Sequence, residues 1–142
     1  MYFDSNIWGP HYWFFLHSVA ESYPLFPNEI TKRKYYDLIQ NFPLFIPNIE
    51  IGNKFSNFLD KYPVSPYLVS RESFVKWMHF IHNKINVSLN KPEISLITAL
   101  DNYRALYKPK PILFFENINL RKHYIFAIII IILCITIYKF YE

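Results

Sequence analysis

A chain of 142 residues has room for one small domain and an appendage, and 15 Lys+Arg against 11 Asp+Glu form no basic stripe long enough to follow a phosphate backbone, which argues against nucleic acid as a partner. Two glycines, Gly9 and Gly52, are too few for the phosphate loop of a Rossmann or P-loop site. One cysteine, Cys134, excludes an internal disulfide, a CxxC redox pair and a cysteine-based zinc site within the chain.

Aromatic residues make up 20% of the chain. In a body this small, large rings supply much apolar area each and can also wall a site for a flat ligand. The first 30 residues hold charges and prolines and no continuous apolar run, so no signal peptide is expected. A first helix is predicted over 10–22, PHYWFFLHSVAES, with Pro10 in its opening turn and YPLFPNE breaking it. Trp13 and His17 are four apart there and share a face. A second helix, 29–42, ends at PLFIP because Pro43 and Pro47 cannot continue it. A third, 48–61, carries apolar residues at 51, 55, 58 and 59.

After the loop YPVSPYLV, Ser70 caps a fourth helix and Glu72 favours the dipole in its first turn. Its apolar stripe is Phe74, Trp77, Ile81 and Ile85. His82, Asn83 and Asn86 gather on another edge, a pattern that fits either a solvated face or a ligand. A fifth helix is predicted over 93–106. The five histidines, at 11, 17, 79, 82 and 123, are scattered, and no hydrolase triad, paired-carboxylate site or metal site stands out.

The tail reads RKHYIFAIIIIILCITIYKFYE. Residues 124–141 form a span of 18 with only Lys139 charged, reaching about 27 Å as a helix, enough for a thin bilayer. A buried strand or core helix is the competing reading, but AIIIIILCITI shows no polar alternation. Arg121 and Lys122, with Lys108 and Lys110 further back, outnumber Lys139 beyond the span, so the folded body is expected on the cytosolic side of a single-pass tail anchor, in a host or virion membrane. Cys134 falls in the apolar layer, where a thiolate is unfavourable and an inert thiol is expected.

Three segments resemble one family in order and spacing over residues 8–92. WGPHYWFFLHSVAESYP (8–24) is similar to the opening WGxxxWxxLHxxAxxYP of the Erv/ALR sulfhydryl oxidases. FVKWMHFIHNKINVSLNKP (74–92) is similar to their W-x4-HNxVNxxLxKP segment, and FIPNIEIGNKFSNFLDKYPV (45–64) has the shape of their redox segment PCxxCxxHFxxFLxxxPV. The compact form most resembles versions encoded by large DNA viruses. The resemblance implies an all-α fold, a four-helix bundle plus a short fifth helix holding FAD at the bundle's mouth, over residues 1–107. A basic juxtamembrane tether at 108–123 and a transmembrane helix at 124–141 would follow.

Carried over by position, the resemblance makes Trp13, His17, Trp77, His82, Asn83, Asn86 and Lys91 contacts of FAD, with Trp and His rings sandwiching the adenine. Such rings suit stacking, His and Asn can bond a base or ribose, and Lys91 can neutralise phosphate. Tyr23 and Tyr103 are candidates for the cavity wall, and Lys54 occupies the motif's histidine position beside the flavin.

Family catalysis needs two cysteines: one thiolate attacks the flavin, its partner displaces it as a disulfide, and O2 reoxidises the flavin to give H2O2. Those positions here are Asn48 and Ile51, which cannot carry electrons, so no catalytic residue is expected. Three roles stay open: a flavin binder without thiol oxidase activity, a cofactor-free structural or interaction module, and an FAD carrier whose flavin meets a partner's thiols. The dimer partner implied by the resemblance is a second copy or an intact sulfhydryl oxidase.

Overall fold

The structure is a computed structural model that describes residues 3–109 and 118–141. Contacts divide the chain into two units, Met1–Tyr107 and Lys108–Glu142. The described residues are all helix and connection, with no strand, so the expected all-α class is what the chain adopts. The first unit holds α1 (Ser5–Glu21), α2 (Glu29–Asn41), α3 (Ile49–Lys61), α4 (Arg71–Ser88) and the short α5 (Leu96–Ala105); α6 (Ile118–Tyr141) is in the second.

Polar caps set most of these starts. Asn28 accepts from the Thr31 N–H at 2.8 Å, Asn48 from Ile51 at 3.0 Å, Ser70 from Ser73 at 3.2 Å and Ser95 from Thr98 at 3.1 Å, each satisfying an otherwise orphaned first-turn donor. Two boundaries differ from expectation. Asp4 caps α1 by accepting from the Asn6 N–H at 2.8 Å, so the helix starts a turn early and Pro10 lies inside it. Pro10 is the sixth residue of the helix, so its missing N–H leaves the Asn6 carbonyl without its usual donor four residues on. At the other end, Ile94 is held by Asn83 through both its N–H and its carbonyl (3.1 and 2.9 Å), and α5 begins only at Leu96, after its cap Ser95.

The core lies where α4 packs between α1 and α3. Leu16 and Ala20 of α1, Phe55 and Leu59 of α3, and Phe74, Met78, Ile81 and Ile85 of α4 are buried, with Ile39 of α2 closing one side. Each such large side chain contributes about 1.5–3 kcal/mol by leaving water. Pro43 and its neighbours form a 3-10 turn, Phe42–Phe45, where the prolines were expected only to end α2. Gly52 of α3 packs under it: a Cβ there would lie 2.9 Å from the Pro43 carbonyl oxygen.

In the second unit, Arg121–Tyr141 is long and apolar enough to cross a membrane, with mean hydropathy 2.3 and no buried side chain. Its 21 residues reach about 31 Å at 1.5 Å each. Residues 110–117 of the expected tether lie outside the described residues, and 118–123 belong to α6.

A candidate cofactor cavity between α1, α4 and α5

A cavity of about 460 Å3 opens among α1, α3, α4 and α5, within the range of small-molecule sites. Its walls are mostly apolar, with Ile51 and Phe55 from α3, Phe14 from α1 and Tyr103 from α5. Polar groups reach it from two helices because of helical spacing: Trp13 and His17 share one edge of α1, and His79, His82, Asn83 and Asn86 share one edge of α4. Lys91 arrives by a different device. Asn90 adopts φ 56°, its N–H bonds the Val87 carbonyl at 3.0 Å, and the Lys91 N–H bonds the Asn86 carbonyl at 2.8 Å. This paired closure of the helix end turns the chain sharply and sets Lys91 on the cavity wall, its Nζ 3.4 Å from Asn6 Oδ1.

The two helices meet through their rings. Trp13 and His82 stack face to face, centroids 3.8 Å apart and planes within 10°, and His17 Nε2 lies 2.9 Å from His82 Nδ1. Burial pushes the His17 pKa down to about 4, with the nearby His79 adding to the effect. It pushes His82 down to about 3, helped by His17, His79 and Lys91. Both rings are therefore neutral near pH 7 and must take complementary tautomers, one nitrogen donating to the other. One ring-to-ring spacing separates Trp13 from His82, so the two faces turned toward each other are covered and only the outer faces of the pair are open to stacking in this structure.

Of the residues expected around a cofactor, Trp13, His17, His82, Asn83, Asn86 and Lys91 come together on the cavity, and so does Tyr103. Three do not. Trp77 is 2% exposed, stacks on Phe74 and donates its indole N–H to the Tyr62 carbonyl at 3.0 Å; the apolar stripe that buries α4 claims it. Tyr23 is fully buried and donates to the Leu68 carbonyl at 2.8 Å, pinning the loop before α4. Lys54 turns to Glu50 at 2.8 Å, one helical turn back along α3. Within the cavity the Ile94 backbone engages the Asn83 amide on both sides, whereas the side-chain amide of Asn86, a residue 8% exposed, makes no hydrogen bond to a described residue. His79 is the wall residue that the scattered histidines did not suggest; its spacing of seven from Asn86 was the available signal.

Comparison with known proteins agrees with this architecture. The family model described as the Erv1 / Alr family matches residues 10–104. The probable FAD-linked sulfhydryl oxidase of Acanthamoeba polyphaga mimivirus is 33% identical over 104 residues, spanning 72% of this chain and 73% of that protein. The putative FAD-linked sulfhydryl oxidase of Invertebrate iridescent virus 3 is 27% identical over 105 residues, spanning 74% and 71% respectively. The crystal structure of the FAD binding domain of Erv1 from Saccharomyces cerevisiae superposes with a TM-score of 0.66 at 28% identity, covering 73% of this chain and 97% of that one.

Proposed function

This chain belongs to the Erv1 / Alr family, and on that premise we propose that it is a membrane-anchored, FAD-binding relative of the sulfhydryl oxidases with no thiol oxidase activity of its own. The observation that carries the cofactor assignment is the convergence of polar groups on one apolar cavity: the neutral His17–His82 pair, the Asn86 amide, which bonds no described residue, and the Lys91 ammonium. The set fits a dinucleotide. Lys91 would meet phosphate, Asn86 would bond the ribose or base, and the exposed side of the Trp13–His82 stack would carry the purine. Bound FAD supplies a two-electron acceptor. The positions from which family cysteines would deliver electrons hold Asn48 and Ile51, so the family's route into the flavin is closed here.

Helix α6 would hold the body at a membrane, and Arg121 and Lys122 near its N-terminal end favour a cytosolic body. A second copy, or an intact sulfhydryl oxidase, is the partner through which such a domain would act. One observation favours a different role: the Trp13–His82 stack leaves no slot between its rings, as suits a cofactor-free interaction module.

Visible absorption of the full-length protein purified in detergent separates the two. A yellow protein with stoichiometric flavin supports the cofactor role. A colourless protein that takes up no added FAD gives the module role instead. A yellow protein that consumes oxygen with dithiothreitol at an intact oxidase's rate would overturn the inactive assignment.

A further inference from the structure

His79 sits in the cavity wall, yet its ring is 9% exposed and its Nδ1 has no hydrogen-bond partner among the described residues. The surrounding bonds fix where its proton lies. Asn83 Oδ1 accepts the Ile94 N–H at 3.1 Å, which sets the orientation of the Asn83 amide. Its Nδ2 then has two hydrogens to place. One goes to the Ile94 carbonyl at 2.9 Å, and the other faces His79 Nε2 at 3.2 Å. With Nε2 accepting that hydrogen, the proton of the neutral ring lies on Nδ1, and this tautomer is part of the inference. Burial keeps the ring neutral by lowering its pKa, although the Ile94 carbonyl and Glu93 oppose this. The result is a buried N–H donor left unmatched, which native interiors rarely tolerate without a reason.

Anchoring Asn83 needs only the acceptor at Nε2; it does not account for the orphaned donor on the other side of the ring. His79 shares its edge of α4 with His82 and Asn86. We propose that His79 is a ligand-positioning residue whose Nδ1–H donates to an uncharged acceptor of the bound cofactor, a ring nitrogen or ring carbonyl oxygen. This rests on the FAD assignment above and divides the labour within it: Lys91 meets the phosphates and His79 reads a heteroaromatic ring.

The test uses the full-length chain in detergent. FAD affinity is titrated for wild type, His79→Phe, which removes the donor, and His79→Asn, which can return an N–H close to the Nδ1 position, with the melting temperature of each ligand-free protein recorded alongside. Nitrogen-15 NMR of the ring reports its tautomer before and after FAD. The expected results are an Nδ1-protonated neutral ring, an Nδ1 signal that shifts on FAD addition, FAD binding at least tenfold weaker in H79F, and recovery to within about threefold in H79N. Equal FAD affinity in H79F and wild type overturns the role of His79 alone, as does an Nε2-protonated ring. If H79F does not fold, an Nδ1 signal that stays put when FAD saturates the wild type overturns it instead. A wild type that takes up no FAD overturns the cofactor assignment first and this role with it.

Discussion

Asn48 Oδ1 accepts the Ile51 N–H at 3.0 Å, so the two positions that the family resemblance reserves for a redox pair are joined here as a helix cap. Ile51 is buried and reaches the cavity, while Asn48 opens α3. A cap and a core residue have taken over a segment whose resemblance implied chemistry.

Replacing both, Asn48→Cys with Ile51→Cys, should cost stability and gain activity. Loss of the cap costs about 1 kcal/mol and shrinking a buried isoleucine a further 1–2 kcal/mol. If the flavin seats against α3, dithiothreitol-dependent oxygen uptake should appear in the double variant and be absent from wild type. Bound FAD without oxygen uptake would show that the start of α3 does not face the flavin.

Gly52→Ala should destabilise the body by about 1–3 kcal/mol, read as a lower urea midpoint with an unchanged slope. The added methyl would press on the Pro43 carbonyl oxygen at 2.9 Å, which belongs to backbone and cannot swing aside. An unchanged midpoint would mean that the 3-10 turn yields freely.

The His17–His82 pair predicts a pH dependence. Both folded pKa values, about 4 and about 3, lie below the ordinary 6.5, so the unfolded chain binds more protons in between. The stability contributed by keeping the rings neutral is fully present above pH 6.5 and is lost as pH falls towards 4 and 3. The slope is at most about 1.4 kcal/mol per pH unit for each ring. His17→Gln with His82→Gln should flatten urea midpoints between pH 6.5 and 4.5; a slope that survives the double variant would place its origin elsewhere.

His82→Ala should leave the far-ultraviolet circular dichroism nearly unchanged and weaken FAD retention about tenfold, a loss of about 1.4 kcal/mol. The change removes both the face stacked on Trp13 and the partner of His17 Nε2. Equal flavin content in variant and wild type would remove α4 from the site.

Full-length protein should float with phospholipid vesicles in a density gradient, and a chain cut before α6 should not. Flotation of the truncated chain would mean that exposed apolar side chains of the body, such as Phe26 and Ile30, bind lipid without the apolar helix.

The helices were legible in the sequence because their punctuation is local: Ser70 and the prolines after α2 act within a turn of themselves. Other features were not, because they depend on partners distant in the chain. Asn83 resembles a ligand contact in the motif, but its amide is taken by Ile94, eleven residues on. Trp77 matches the motif equally well, but it also falls on the apolar stripe of α4, and burial against Phe74 with a bond to Tyr62 takes it out of the cavity.

Residue types and short-range spacing by themselves settled the helical class, the apolar terminal helix, the presence of a single cysteine and the edge shared by His82 and Asn86, since each is a property of the covalent chain or of one helical turn. Which rings touch and which amides are already spent were decided only when α1, α4 and the strap at Ile94 packed together, because hydrogen bonds and ring contacts depend on atomic distances that spacing along a chain does not set.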